Sequence, residues 1–316
     1  MSADSADPAG ATRTRGPTGV IHDLGYRRYE GERLGRFHIA RALCWHSLRS
    51  AFGIGRGAKA KIVPVIALVI MCLPAIVNAI AVARSPDHVR AIPYDTYVFH
   101  LRVIVMVIFV AAQAPELVSR DIRSHVLPLY FSRPLRRLDY PAAKYAAFTA
   151  ACLALIEIPL LLLYLGTIAS ASGGAAIWSE TRALIAGLLV GLMWAVLLAV
   201  IGLALASSSG RRAYATGAIA IFYFLTWALA GIMLSVATPH GPFTAGPGVP
   251  TTGARLSGLI SPFTVLDGVR QWLGGTSTGP IPAPGGYGPA YGLMFLALLV
   301  LSLGFLAARY RKVGVA

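Results

Sequence analysis

Few side chains in this 316-residue chain stand where they could do chemistry. The seven histidines, at 22, 38, 46, 88, 100, 125 and 240, show no H-E-x-x-H or comparable ligand spacing, so no metal site follows from them. No G-x-S-x-G elbow is present, and the apolar stretches hold no close pair of carboxylates. The run GIGRGAKAK, Gly53 to Lys61, has the composition of a phosphate-binding loop but not its register, and an apolar run follows it. The chain therefore has no nucleotide-binding motif of its own. One acid does stand out. Glu157 lies midway along an apolar run, two residues before Pro159. A carboxylate at that depth is costly unless paired, protonated or hydrated, so it must face protein or a cavity. Two readings stay open: a buried hydrogen bond to a neighbouring helix, for instance to a carbonyl freed by the proline, or a functional ionisable group.

The elements that carry these residues follow from composition. With 56% hydrophobic and 13% charged residues, the chain is too apolar for a soluble domain and too long for a single anchor. Runs of about 20 apolar residues cross a bilayer as helices, because every backbone N–H and C=O must be satisfied within the lipid. Six such runs are expected: Ile62 to Ala83, Tyr97 to Val118, Ala142 to Ile168, Arg182 to Ala206, Ala213 to Val236 and Pro289 to Ala308. The fold class is all-α: a transmembrane domain over 62–309, preceded by a cytoplasmic N-terminus (1–30) and an interfacial segment (31–61), and followed by a short tail (310–316).

The net charge of +15 raises nucleic acid as a partner, but its distribution argues for a membrane instead. With the N-terminus inside, 22 Lys and Arg fall on the inner side and five (Arg84, Arg90, Arg182, Arg255, Arg270) on the outer side, with Arg102 in the second span. The positive-inside rule then puts both termini in the cytoplasm. Cys44, Cys72 and Cys152 are scattered and odd in number, so no disulfide framework follows. The first 61 residues hold no apolar run of signal-peptide type, and insertion is expected to use the first span.

Residues 1–19 have the composition of a disordered segment. Phe37, Ala40, Cys44, Leu48 and Ala51 then recur at helical spacing with arginines largely off the stripe, which predicts an amphipathic helix against membrane lipid; a helix packed on another chain fits the same pattern. In the second span, Arg102 is placed to snorkel outward or to meet a substrate, and Glu116 to pair with Arg120 one turn on. Gly187, Gly191, Ala195 and Ala199 give the fourth span a face of small residues for close helix approach. In the outer segment 238–288, Ser261 as N-cap, Pro262 at the first helical position and the Gly274-Gly275 stop predict a short helix. That helix is expected on the outer leaflet, with Asp267 and Arg270 paired along it.

The loop 116–144 is the most specific feature. From Pro115, PELVSRDIRSHVLPLYFSRPLRRLDYPAAK resembles the segment after the second span in permease subunits of second-type ABC exporters. The resemblance rests on Arg120, Asp121 and Arg123, then Leu127, Leu129 and Tyr130, then Ser132, Arg133 and Pro134, then Arg136, Arg137, Tyr140 and Lys144. The opening VIHDLGYRRYEGERLGR, Val20 to Arg36, is similar to the N-terminus of one bacterial branch of that family. Where the family often has Gly-Thr after the acidic-basic helix, this chain has His125-Val126, which puts the turn geometry there in question.

The resemblance implies a non-catalytic membrane subunit in the bacterial inner membrane, dimeric with a second permease copy or a paralogue. It implies separate ABC ATPase subunits that carry the ATP and Mg, and no cofactor on this chain. The segment Glu116 to Val126 becomes a coupling helix, with Glu116, Arg120, Asp121, Arg123 and Ser124 at the ATPase contact. An ion-coupled carrier using Glu157 and a membrane scaffold or sensor are the competing classes.

Overall fold

The computed structural model of the chain describes residues 31, 34–84, 92–97, 101–132, 135–171, 173–238, 251–275 and 282–312, with the side chains of 101, 102 and 312 left aside. The expected disordered N-terminus, His100 and the Arg133-Pro134 pair lie outside the described residues, as does the Arg102 side chain. Every regular element among the described residues is helical.

Eleven α-helices follow one another among the described residues: α1 (Arg36–Ala51), α2 (Lys59–Arg84), α3 (Leu101–Leu117), α4 (Ser119–Arg123), α5 (Leu127–Phe131), α6 (Asp139–Ala169), α7 (Gly174–Ser207), α8 (Arg212–Ala237), α9 (Thr252–Leu256), α10 (Pro262–Trp272) and α11 (Gly288–Lys312). Six helices are long and apolar enough to cross a membrane: α2, α3 with its extension, α6, α7, α8 and α11. This is the architecture of a multi-pass membrane protein. The fourth of them begins at Gly174 rather than at Arg182, because Glu180 and Arg182 sit near its end and do not interrupt it.

The helix α3 is the most enclosed of the six and packs against α2, α6, α7 and α8. Pro115 has no N–H, so the carbonyl of Ala111 four residues back loses its helical donor. Thr216 of α8 replaces it, its Oγ1 donating to Ala111 O at 3.0 Å. The outward faces of α2 and α8 are apolar and open, with Ile62, Val65, Ile66 and Val69 on one and Ile221 and Leu225 on the other.

The first helix packs on its own chain. Leu43, Ser47 and Ala51 form the buried face, while Phe37 and Trp45 are exposed. α1 lies along α6 and touches α3, and Arg36 pairs with Asp139 at the start of α6. Gly53 turns the chain back toward α2 with φ +70°, where a Cβ would stand 2.6 Å from the carbonyl oxygen of Ala60.

The helix α10 is enclosed by its own chain. Every residue from Pro262 to Arg270 is buried, so its apolar stripe meets α7, α8 and α11. Phe263 stacks between Trp194 of α7 and Tyr223 of α8, with ring centroids 5.7 and 5.2 Å away. Glycines let the aromatic rings close on α11: Tyr291 lies on Gly268, and Trp272 lies on Gly288 and Gly292. Such ring-on-glycine contacts remove apolar area without a Cβ in the way.

Candidate functional site

The charged residues gather at one end of the bundle, where α3 ends, α6 and α8 begin and α7 and α11 finish. Glu116 stands in the last turn of α3, the negative end of the helix dipole, and needs cations nearby. They come from outside its own helix. Arg56 of the α1–α2 linker pairs with one carboxylate oxygen and Arg212, first residue of α8, with the other. The expected Glu116–Arg120 pair does not form; Val118, between them, departs from helical geometry (φ −123°, ψ −52°) and both Glu116 oxygens are taken by other arginines.

Two anchors hold α4 against the bundle. Ser119 Oγ donates to Ala206 O at the end of α7 over 2.8 Å. Asp121 accepts from Tyr140 Oη at 2.7 Å and meets Lys144 Nζ at 2.9 Å, both on α6. Lys144 is 5% exposed and also lies over the Tyr140 ring. With Glu116 and Asp121 turned inward, the five residues assigned to an ATPase contact divide: Arg120, Arg123 and Ser124 are exposed. Neither Arg120 nor Arg123 has a carboxylate partner among the described residues.

His125 follows in the left-handed region at φ 51°, the conformation that glycine favours. The sharp turn is thus made despite the missing glycine, and α5 folds back to bury Leu127 while Leu129 is exposed. Ser132 closes α5 by donating to Leu129 O, and Arg137 donates to Arg311 O at the end of α11.

The Arg56–Glu116–Arg212 bridge separates two clefts. One, of 290 Å³, is bounded by Pro115, Arg120, Arg123 and Gly210; the other, of 690 Å³, by Lys59, Val63 and Gln113. A third cleft of 520 Å³ runs between α1 and the α4–α5 pair, lined by His46, Arg49, Asp121 and Lys144 among others.

Glu157 lies against α7. A Cβ on Gly191 would stand 2.6 Å from Glu157 Oε1, so the small residue there makes room for the carboxylate. Oε2 is buried without a hydrogen-bond partner among the described residues. The small-residue face of the fourth span is used within the chain, Gly187 against Tyr94 and Gly191 against Glu157 and Ile156.

At the opposite end, Arg270 is 1% exposed and joins Asp267 through Nε and Nη2 at 3.0 and 2.7 Å, and Asp95 through Nη1 at 2.6 Å. Sequence spacing found the first partner and not the second. Ser261 occupies the N-cap position before Pro262, yet its hydroxyl makes no cap bond. Thr264 closes that turn instead, donating to Gly258 O at 2.6 Å. Among the described residues no three His, Cys, Asp or Glu converge as a metal site.

No family model matches the chain, and no curated protein matches it.

Proposed function

We propose that this chain is the membrane-spanning permease subunit of an ATP-driven ABC exporter of the second type, working as a dimer with separate ATPase subunits. The observation that carries the reading is the division of the α4 residues. Ser119 and Asp121 tie α4 to α6 and α7, while Arg120, Arg123 and Ser124 are exposed. A short charged helix fixed to several spans at once can transmit a push from a soluble motor into the membrane. The surplus of Lys and Arg at that end makes it the cytoplasmic face, in the plasma membrane of a bacterium. The ATP and Mg belong to the motor subunits.

The test is co-purification of the tagged full-length chain with an ATPase that has a Walker A motif and an ABC signature. Arg120→Glu with Arg123→Glu should abolish stimulation of that ATPase while membrane insertion persists. Unchanged stimulation sinks the assignment.

A second reading rests on the buried, unpartnered Oε2 of Glu157: an ion-coupled carrier. It requires transport driven by a proton gradient without any ATPase, and loss of that transport in Glu157→Gln.

A further inference from the structure

The two clefts beside Glu116 are lined by more cations than its carboxylate can pair. Together they are bounded by Arg56, Lys59, Arg120, Arg123 and Arg212, and Glu116 is their one acid. Glu116 is shared by Arg56 and Arg212, which leaves an excess of positive charge with no second acid lining the clefts among the described residues. Like charges this close repel one another unless an anion enters between them.

A second observation points to a ligand in the larger cleft. Gln113 of α3 lines it, is 4% exposed, and has an Oε1 that is buried without a hydrogen-bond partner among the described residues. A buried amide oxygen left unpaired is unfavourable, and a hydroxyl donor on a bound molecule would satisfy it. The ligand must therefore combine an oxyanion with a hydroxyl.

The surroundings state where such a molecule comes from. The cleft opens at the first residues of α2 and α8, which both pack on α3, and the side of α2 that bears Lys59 and Val63 continues away from it with Ile62 and Ile66. Both isoleucines are exposed. An acyl chain can lie along this face while a phosphate sits among guanidinium and ammonium groups. Arginine suits that phosphate because its fork donates two parallel hydrogen bonds.

We infer that the cleft between the feet of α2, α3 and α8 binds the headgroup of an anionic glycerophospholipid, the phosphate held by Lys59 and the arginines at the Glu116 bridge and a glycerol hydroxyl donating to Gln113. The inference goes beyond the transport reading and does not require an ATPase. It turns the foot of the bundle into a lipid-dependent joint: the headgroup neutralises the cations that flank the attachment of α4 to α3.

The purified full-length chain, without any partner, tests this in nanodiscs of phosphatidylcholine containing phosphatidylglycerol. Bound lipid is read by native mass spectrometry after release. The chain should retain phosphatidylglycerol over phosphatidylcholine. Lys59→Gln and Gln113→Leu should each weaken that preference by about fivefold, the scale of one interfacial charge or one buried hydrogen bond. Lys61→Gln, an exposed cation outside the cleft, should leave it unchanged. Neither Lys59 nor Gln113 belongs to the proposed ATPase contact, so failure here leaves the coupling test untouched. A thermal melt run beside each variant checks folding, and Gln113→Leu, a near-isosteric change, should melt no lower than the parent. Equal retention of the two lipids, or unchanged preference in both variants, overturns the inference. Displacement of phosphatidylglycerol by an equal concentration of inorganic phosphate would assign the cleft to free phosphate and overturn the lipid assignment.

Discussion

Asp121 of α4 and Lys144 of α6 meet at 2.9 Å, with Lys144 Nζ over the Tyr140 ring, and this contact fastens the charged helix to α6. The Lys144 side chain is 6% exposed and that of Asp121 17%, so the pair is largely screened from water. Removing one partner of such a pair leaves a poorly solvated charge. Lys144→Met should therefore lower stability by about 2–3 kcal/mol. Adding Asp121→Asn, which removes the stranded charge, should recover part of that loss. Thermal melts of the single and double variants in detergent check this, and a double variant no better than the single would count against the pairing.

The Thr216 bond to Ala111 O exists because Pro115 removed the natural donor. Thr216→Val should cost about 1 kcal/mol, the usual scale for a hydrogen bond between membrane helices. In a Pro115→Ala background, where the backbone N–H returns to the helix, the same substitution should cost clearly less. The double-mutant cycle on melting midpoints gives the answer, and simple additivity would contradict the mechanism.

Gly187 and Gly191 share one face of α7 but meet unlike neighbours. A Cβ at 187 would lie 2.6 Å from Tyr94 Cβ and 3.1 Å from its carbonyl carbon, close to a backbone that cannot yield cheaply. At 191 the nearest atom is Oε1 at the free end of Glu157. Gly187→Ala should cost about 1–3 kcal/mol, within the range of overpacked cores, and Gly191→Ala less. Comparing the yields and melts of the two folded variants checks the order.

Arg270 joins Asp267 and Asp95 with three nitrogens, a geometry that a lysine cannot reproduce. Arg270→Lys should lose most of the stability lost in Arg270→Ala. Burial pushes the Asp267 carboxyl above the ordinary carboxylate range, and Arg270 and Gln271 only partly offset it. Because the folded pKa lies above the unfolded one, the folded state holds the proton more tightly. The contribution of Asp267 to stability therefore rises as pH falls from neutral through its folded pKa. Asp267→Asn should remove that component from a pH series of melts.

Hydropathy made the six long helices legible, since length and apolar composition decide them before any tertiary contact forms. The charge runs likewise marked the end of the bundle that bears α4. Contacts between distant segments were not legible. Arg56 and Arg212 reach Glu116 from 60 and 96 residues away in sequence, and local spacing offered only Arg120. The burial of Ser47 on α1 was likewise not legible, because it comes from packing on the distant helix α6. A usable signal was present in α10 and α11, where Gly268, Gly288 and Gly292 stand at positions that aromatic rings from the partner helix could cover.

The most direct measurement of the central claim is a site-directed crosslink. In a background with Cys44→Ser, Cys72→Ala and Cys152→Ala, a Ser124→Cys variant is purified with the proposed ATPase partner and treated with a short thiol-to-amine crosslinker. Ser124 is exposed beside Arg123, whereas Ser179, exposed near the start of α7, lies at the opposite end of the bundle. A crosslink to the ATPase is expected from position 124 and none from Ser179→Cys. A complex that purifies intact yet gives no product from 124, or equal product from 179, contradicts the proposed ATPase contact.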